Sequence, residues 1–419
     1  FFGSWWRIIL SLVVIIPFVF ITRGVYQPYI TEVVAHLANV FVMLNIVLLA
    51  VFLFMKKRKW IAINIIVFIT LQVTGVVDKM SYRERYKDLD TVEIEQKFLT
   101  KADYLYSPET VDNLASRHRH PDEFLTPSDL ILREDGTLGY SVGITPRADF
   151  TRITTPNKFG GVIEVSTNSD VADVVNREVF FQVEKPLWFS HSSDRAIVKR
   201  FGVLEYFTSK IGNTLRLPGP DGKHYLVIIV DRLVNFPNAY YAPNGVYIVE
   251  EGKNEPWWKL VLFGAGKHVP LEETDDYSFL KGQALMSTRS LEQIGNSGRY
   301  RDGYIDALIW KRNGVVIDKA HDGSFIYNIV HVDNELTSGI VSMLPQVGTK
   351  TSTTQNRTWI IPLSGNRDLV YEYNNLSVGD SRAAPSDLTA SILDGDDNKS
   401  LNTSDYEIMQ IHSVIKEID

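Results

Sequence analysis

The chain opens with three long runs of apolar residues, at positions 5–22, 30–55 and 60–77. Each run approaches the roughly 20 residues that a helix needs to cross the hydrocarbon core of a bilayer. A cleaved signal peptide explains one short run but not three in succession. Buried core helices normally carry a polar stripe, and these runs show almost none. The pattern therefore predicts three transmembrane α-helices within residues 1–78, which together form a membrane anchor.

The links between the runs predict an orientation. The link at 56–59 reads KKRK, and dense positive charge favours the cytoplasmic side of a membrane. The link at 24–29 is neutral. We therefore expect an integral protein of the plasma or inner membrane, with a cytoplasmic N-terminus and with residues 78–419 extracytoplasmic.

Residues 79–128 are predicted to connect the anchor to the rest of the chain. The first part spaces its apolar residues at helical intervals with charges between them, which indicates a helical stalk or a helix that lies on the membrane surface. Pro108, Pro121 and Pro127 then mark a linker.

From residue 129 the apolar period changes to two, which is typical of half-buried strands. Asp-Gly and Asn-Gly pairs between the apolar segments supply the positive φ that tight hairpins need. Helical spacing predicts two helices, at 193–206 and 280–294. Residues 129–380 are therefore predicted to form a β-rich domain, either all-β or α+β. The candidate strands are 130–133, 139–144, 161–166, 179–184, 225–230, 245–249, 259–263, 305–310, 315–318, 324–332, 358–362 and 369–373.

Charge and cysteine content narrow the functional classes. The chain of 419 residues holds 43 Lys or Arg and 50 Asp or Glu, for a formal net charge of −7. The segment 1–79 is basic, so the remainder is more acidic than the average suggests. An acidic body argues against nucleic acid as a partner, because binding a polyanion needs a basic surface. The absence of cysteine excludes a disulfide framework, a Cys-ligated zinc site and a Cys nucleophile.

Four short segments carry residue types used in binding or catalysis. His118 and His120 would share a face on a strand, as metal-binding pairs do, but no third ligand is specified. Residues 263–268, FGAGKH, lack the first Gly and the final Ser or Thr of a phosphate loop. Residues 191–194, HSSD, lack the glycines that flank a nucleophilic serine and indicate a helix start. The Gly-rich segment 295–303 has two arginines that suit an anion, or it follows a helix as a connection. No catalytic constellation emerges, so we expect a protein without enzymatic activity more than an enzyme.

The C-terminus holds the most specific motif. In residues 394–405, DGDDNKSLNTSD, oxygen-bearing residues occupy positions 1, 3, 5, 7, 9 and 12, which is the spacing of a calcium loop. An amphipathic helix is predicted directly afterwards, at 406–418. The predicted calcium ligands are Asp394, Asp396, Asn398, Ser400, Asn402 and Asp405.

Residues 386–418 resemble the loop-and-helix half of a dockerin or a single EF-hand. The resemblance implies a structural Ca²⁺ in an appendage at 381–419. Two positions differ from those families: Lys399 replaces the usual Gly at position 6, and Asp405 replaces the usual Glu at position 12. Only one copy of the motif is present, whereas those families normally pair two. The extra positive charge and the shorter carboxylate favour weak, extracellular-type affinity, roughly 10⁻⁴–10⁻³ M.

Three functions remain open on the sequence alone. The first is an interaction or structural subunit of a cell-surface or envelope assembly. Its partners would be the lipid bilayer and other membrane or cell-surface proteins, in an oligomer or a larger complex. The second is a sensor or accessory subunit of a membrane channel or transporter complex. The third is an exported envelope hydrolase, which would need a pocket with paired, pKa-shifted carboxylates.

Calcium should stabilise the chain if the loop at 394–405 binds it, because a ligand that binds only the folded state raises stability by mass action. We expect millimolar Ca²⁺ to raise the melting temperature of the wild type, and a chelator to reverse the effect. The Asp394→Ala variant should show no calcium response. Limited proteolysis provides the second readout, and equal resistance of the wild-type C-terminus with calcium and with chelator would rule the site out.

Overall fold

The computed structural model describes an α+β protein with three sheets of four or more strands. The described residues are 2–35, 47–74, 77–94, 108–121, 123–146, 161–166, 174–179, 181, 183, 193–236, 239–253, 255–301, 303, 314–317, 329–332, 335–347, 350–351, 354–355, 357–364, 368–374 and 382–383.

Helices make up the described part of the N-terminal region. They are α1 (Phe2–Ala35), α2 (47–54), α3 (Arg58–Thr74) and α4 (Val77–Lys87). α1 is continuous through Pro17 and Pro28, so the segment 24–29, predicted as a link, is helical. α4 covers only the start of the predicted stalk. The helix ends at Lys87, and strand β1 (Asp90–Ile94) begins after two intervening residues.

The prediction of three transmembrane helices is wrong. Within the described ranges, no helix combines the length and the apolar character needed to cross a membrane. α3 has 17 residues, fewer than the roughly 20 that a span requires. The apolar part of α1 ends where a polar face begins to contact the β-rich body. The predicted cytoplasmic N-terminus, the extracytoplasmic position of residues 78–419 and the plasma or inner membrane location depended on those spans, and are corrected with them.

The first sheet has five strands, all paired antiparallel. The tight turn between β3 and β4 contains Gly136 at a φ of 76°, as the Asp-Gly pair predicted. Short helix α5 (Pro108–Ser116) packs on this sheet through buried Val111 and Ala115. The strands are β2 (Glu123–Leu125), β3 (Asp129–Leu132), β4 (Leu138–Pro146), β5 (Gly161–Ser166) and β6 (Val174–Arg177).

The second sheet has four antiparallel strands in the order β10-β9-β8-β7. Its central strands are buried on both faces: Leu226 and Ile228 face one core, whereas Val227 and Ile229 face another. This double burial explains their nearly continuous apolar sequence. The elements of this region are α6 (Ser193–Val198), α7 (Val203–Thr208), β7 (Ser209–Pro218), β8 (His224–Val234), β9 (Tyr240–Glu250), α8 (Trp257–Phe263), β10 (Lys267–Val269) and a 3₁₀ helix at Leu271–Asp276.

The third sheet has seven strands and pairs residues that are far apart in the sequence. Its main order is β1-β17-β16-β13-β11, with β12 and β14 also on β13, and β1 pairs with β17 in parallel. A two-stranded ribbon, β15–β18, accompanies it. The remaining elements are α9 (Thr288–Ser297), a 3₁₀ helix (Gly298–Tyr300), β11 (Gly314–Ile317), β12 (Ile329–Val332), β13 (Glu335–Val347), β14 (Lys350–Thr351), β15 (Thr354–Gln355), β16 (Arg357–Pro362), β17 (Leu369–Asn374) and β18 (Arg382–Ala383).

A buried hydrogen bond joins the first two sheets. His224 on β8 and Glu164 on β5 are hydrogen-bonded, with 2.9 Å between Nε2 and Oε1, and both side chains are buried. The hydrogen bond from His224, followed by the charges of Arg177 and Arg133, lowers the pKa of Glu164 against the opposing effect of burial. The pair therefore keeps a carboxylate ionised between two packed sheets.

Buried polar contacts also fix α4 and α9. Arg85 on α4 is fully buried and donates to Asp368 at 2.7 Å, next to the parallel pair β1–β17. Asp231 on β8 is fully buried and accepts hydrogen bonds from Ser287 at 2.5 Å and from Ser290 at 2.9 Å. Ser287 also caps α9 by accepting from the Ser290 amide. The start of α9 is thus tied to the second sheet.

Several local predictions differ from the structure. The predicted helix 280–294 begins only at Thr288, and the described residues of the predicted strand 179–184 are not in a strand. Residues 259–263, predicted as a strand, lie in helix α8, which ends at its C-cap Gly264. The predicted helix 193–206 is divided into α6 and α7 around Gly202. Gly245 does not form a hairpin turn but sits inside β9 at a φ of 124°, where the register with β8 shifts by a bulge. A glycine serves both situations, because each needs a positive φ.

Candidate interaction surface

One face of α1 carries polar residues at intervals of four, namely Arg23, Gln27 and Thr31. This spacing places them above one another on the helix. Arg23 Nη2 donates to the carbonyl oxygens of Lys199 and Leu262, both at 2.8 Å. Lys199 directly follows α6, and Leu262 lies in the last turn of α8. Carbonyls at helix C-termini lack partners within their own helix and favour a cation, so one guanidinium caps two helices.

Gln27 and Thr31 bind the junction between α7 and β7. The Gln27 amide donates to the carbonyl oxygens of Tyr206 at 3.1 Å and Ser209 at 2.6 Å. The Thr31 hydroxyl lies 3.3 Å from the same Ser209 oxygen. Gln27 and Thr31 are essentially inaccessible to solvent. Each such hydrogen bond contributes about 1 kcal/mol, whereas losing one would leave a buried acceptor unsatisfied at a cost of about 1–3 kcal/mol.

The close approach of α1 to α6 depends on Gly24. A Cβ atom at this position would lie 2.8 Å from the backbone oxygen of Arg195, closer than real Cβ contacts. At the rim, the Tyr206 hydroxyl donates to the Arg23 carbonyl oxygen at 2.8 Å. An ion pair between Lys210 and Glu32 spans 2.7 Å there, but exposed pairs of this kind add little stability.

Three cations meet where α1 crosses α6. Burial, followed by the like charges of Arg23 and Arg195, lowers the pKa of Lys199 to about 8. Lys199 is only 5% exposed. Its ammonium is therefore held in an unfavourable position at neutral pH, while its backbone oxygen accepts from Arg23.

The N-terminal half of α1 is exposed where its side chains are described. Six large apolar residues there are between 44% and 62% exposed: Val13, Ile15, Ile16, Phe18, Val19 and Phe20. Successive residues of a helix point about 100° apart, so this set covers most of the circumference. α7 and α8, which α1 contacts, add further exposed apolar residues, Val203, Leu204, Phe207, Trp258 and Phe263. We call these eleven residues the apolar face.

Other exposed apolar residues follow on α2 and α3. Phe54 is 90% exposed, and Trp60 and Ile66 are more than half exposed. Monomeric proteins rarely expose contiguous apolar patches of more than a few hundred Å², and larger patches mark interaction sites. The N-terminal helices therefore present a candidate interaction surface.

The histidine pair lies beside α5, away from the apolar face. His118 and His120 are exposed, and the His120 amide donates to Glu123 Oε2 at 2.9 Å. Among the described residues, no group of three or more His, Asp or Glu side chains is arranged to hold a metal ion. The structure thus gives the pair no third ligand within that part of the chain.

Segments 191–194 and 295–303 have structural roles within the fold. Ser193 begins α6, in agreement with a helix start in 191–194. In 295–303, Arg301 Nη2 lies 2.8 Å from Glu372 Oε1, and the Trp359 indole donates to the other oxygen of this buried carboxylate at 2.9 Å. Arg301 is therefore engaged inside the fold rather than presented to an external anion.

Two carboxyl groups influence each other at the junction of α5, β3 and β7. Burial raises the pKa of Asp129 to about 7; Arg216 opposes this shift, and Asp112 adds to it. Arg216 is itself buried and contacts Thr126 Oγ1 at 3.3 Å. Neither aspartate lines the cleft at the edge of the second sheet. The aspartate pair therefore does not belong to that cleft.

The six predicted calcium ligands at 394–405 lie outside the described residues, so calcium binding stays a prediction. The docking residues of α1 were missed for a different reason. Sequence reasoning ended the first apolar run at residue 22 and treated the next residues, 24–29, as a link. The interval of four between Arg23, Gln27 and Thr31 is the sequence feature that would have predicted a polar face on this helix.

Comparisons with known proteins give no relative for this chain: no family model, no curated protein and no solved structure matches it.

Because three cations lie close together where α1 crosses α6, we expect the Lys199→Met substitution to raise the free energy of unfolding by an amount that depends on pH. The pKa of Lys199 is lower in the folded chain than its ordinary value of 10.5, so its charge opposes folding below about pH 8, and this cost fades as pH rises toward 10.5. Met keeps the aliphatic stem without the charge. We expect the free energy of unfolding at pH 7 to rise by on the order of 1–3 kcal/mol, with a smaller gain at pH 9.5.

Urea denaturation at the two pH values measures the effect. Lys281→Met, at an exposed lysine, is the matched control and should change stability little at either pH. A Lys199→Met gain that is absent at pH 7, or that grows with pH, would contradict the assigned electrostatics.

Proposed function

We propose that this protein is an interaction subunit of an assembly of identical copies, in which the apolar face of each copy is buried by neighbouring copies. The observation that carries the proposal is the exposure of α1 over most of its circumference from Val13 to Phe20. The polar face that begins at Arg23 anchors this helix to the β-rich body. One segment thus connects a folded body to a contact surface.

The charge pattern supports identical copies as the occupants. No charged residue occurs between Arg7 and Arg23. An uncharged apolar surface can meet a copy of itself without like-charge repulsion, and most soluble oligomers are symmetric assemblies of one chain. A helix that is exposed on several sides also needs more than one neighbour to bury it. In an oligomer, the same helix of other copies can provide these neighbours.

The free energy available from burying the apolar face is of the same order as the cost of association. Complete burial of a large apolar side chain contributes about 1.5–3 kcal/mol relative to leaving it exposed. The six residues of α1 are each about half exposed, so two copies together contribute on the order of 9–18 kcal/mol. Association costs about 4–15 kcal/mol in lost translational and rotational freedom. The apolar face can therefore support a stable contact without any ion pair.

Sedimentation velocity over a range of concentrations tests the proposal. The wild type should form one discrete oligomer. Phe18→Glu places a charge in the middle of the contact and should shift the population toward monomer, with far-UV circular dichroism unchanged. Phe236→Glu is the matched control, because Phe236 is also about half exposed but lies after β8, outside the apolar face. It should leave the oligomer intact.

A monomeric wild type at every concentration would overturn self-association, and a different protein would then have to cover the apolar face. A broad distribution of sizes in place of one stoichiometry would also count against the proposal. Equal behaviour of the Phe18→Glu and Phe236→Glu variants would show that α1 is not the contact.

A further inference from the structure

A cleft with a cavity volume of about 670 Å³ opens at the edge of the second sheet, away from the histidine pair and the aspartate pair. Strand β10 pairs with Val246, Tyr247 and Ile248 of β9. The next residues of β9, Val249 and Glu250, line the cleft. Further walls come from the end of α6, from α8, from β8 and from the turn after β10. The volume lies within the range of about 300–1,000 Å³ that is typical of small-ligand sites.

One wall of the cleft is aromatic. The rings of Tyr225 and Phe279 stack with centroids 4.3 Å apart and an angle of 14° between their planes. Tyr277 meets Phe279 edge-on at 5.9 Å. Both tyrosines are half-buried and keep part of their rings accessible. Their hydroxyls are held within the protein, because Tyr225 donates to Asp221 at 3.1 Å and Lys267 donates to Tyr277 at 2.5 Å, so the wall offers an apolar surface to a flat ring.

The charges around the cleft favour an anion. Three cations line it, Arg200, Lys253 and Lys267, and all three are exposed. Two carboxylates, Glu250 and Glu255, also line the cleft. Each is paired with a lysine that lies outside the lining: Glu250 is bound by Lys223, and Glu255 lies 3.1 Å from Lys259. Among the residues that line the cleft, three cations therefore face two carboxylates that are already paired with lysines, although the chain as a whole is acidic.

A buried nitrogen in the cleft lacks a protein partner. His268 packs against Tyr247 with ring centroids 4.9 Å apart. Its Nε2 atom is buried and has no hydrogen-bond partner among the residues that the structure describes. A buried polar atom without a partner costs about 1–3 kcal/mol, so a ligand group that bonds to it recovers this loss. The residues 264–268, which do not form a phosphate loop, thus contribute a lysine and an imidazole to one site.

We infer that the cleft binds an acidic saccharide. The apolar face of a pyranose ring packs on Tyr225 and Tyr277, which the buried Phe279 supports from behind. A sugar hydroxyl bonds to His268 Nε2. The carboxylate of the sugar lies among the cations of the cleft, where charge-assisted hydrogen bonds are stronger than neutral ones. This site is independent of the apolar face, so it stands whether or not the chain associates.

Isothermal titration with two disaccharides tests the inference. Glucuronosyl-glucose and cellobiose share the same rings and linkage and differ in one carboxylate. The acidic sugar should bind about tenfold more tightly than the neutral one. Lys253→Met should weaken the acidic sugar about fivefold and leave the neutral sugar unchanged. His268→Phe, which keeps the ring on Tyr247 but removes the nitrogen, should weaken both sugars by similar factors.

Lys281→Met is the control, because this exposed lysine does not line the cleft and its loss should change neither affinity. Binding of neither sugar at millimolar concentration would overturn the inference. Equal affinities for the two sugars would overturn the role of the cations. Unchanged binding in the His268→Phe variant would show that the buried nitrogen is not the contact.

Discussion

The docking of α1 onto the ends of three short helices is the interaction on which the other features depend. Arg23 satisfies the last carbonyls of α6 and α8, while Gln27 and Thr31 satisfy those at the junction of α7 and β7. Helix ends buried without such partners would lose much of their stability. Because the contact uses a polar face, it holds α1 in place without covering the apolar residues that precede it. The sequence of α1 therefore explains both its attachment to the short helices, through the polar residues from Arg23 onward, and the exposure of the apolar residues before Arg23.

The same short helices also shape the cleft. Lys199 accepts a hydrogen bond from Arg23, and the next residue, Arg200, lines the cleft. α8 likewise contributes Leu262 to the contact with Arg23 and Leu260 to the cleft wall. The end of α6 and α8 therefore contribute residues both to the contact with α1 and to the wall of the cleft.

Sequence patterns predicted the strands best where short apolar segments were bordered by turn residues, as at Gly161–Ser166 and around Gly136. They failed at Trp257–Phe263, which is apolar nearly throughout and gives no period to separate helix from strand. The membrane prediction relied on the length of apolar runs and ignored the four-residue spacing that begins at Arg23. The cleft could not be predicted, because its aromatic wall combines residues from β8 and from the turn after β10 that only the folded sheet brings together. The parallel pairing of β1 with β17 could not be predicted either, because the two strands are far apart in the sequence.

Hydrogen exchange measured by mass spectrometry tests the central role of α1 docking most directly. Gly24→Ala should push α1 away from α6, because the new Cβ would lie 2.8 Å from the Arg195 oxygen, even though Ala favours an isolated helix by about 1 kcal/mol. We expect faster exchange in α6, α7 and the start of β7, with the five-stranded sheet unchanged. Val33→Ala, at an exposed position of the same helix, should leave all of these unchanged. Unaltered exchange of α6 and α7 in the Gly24→Ala variant would contradict the account.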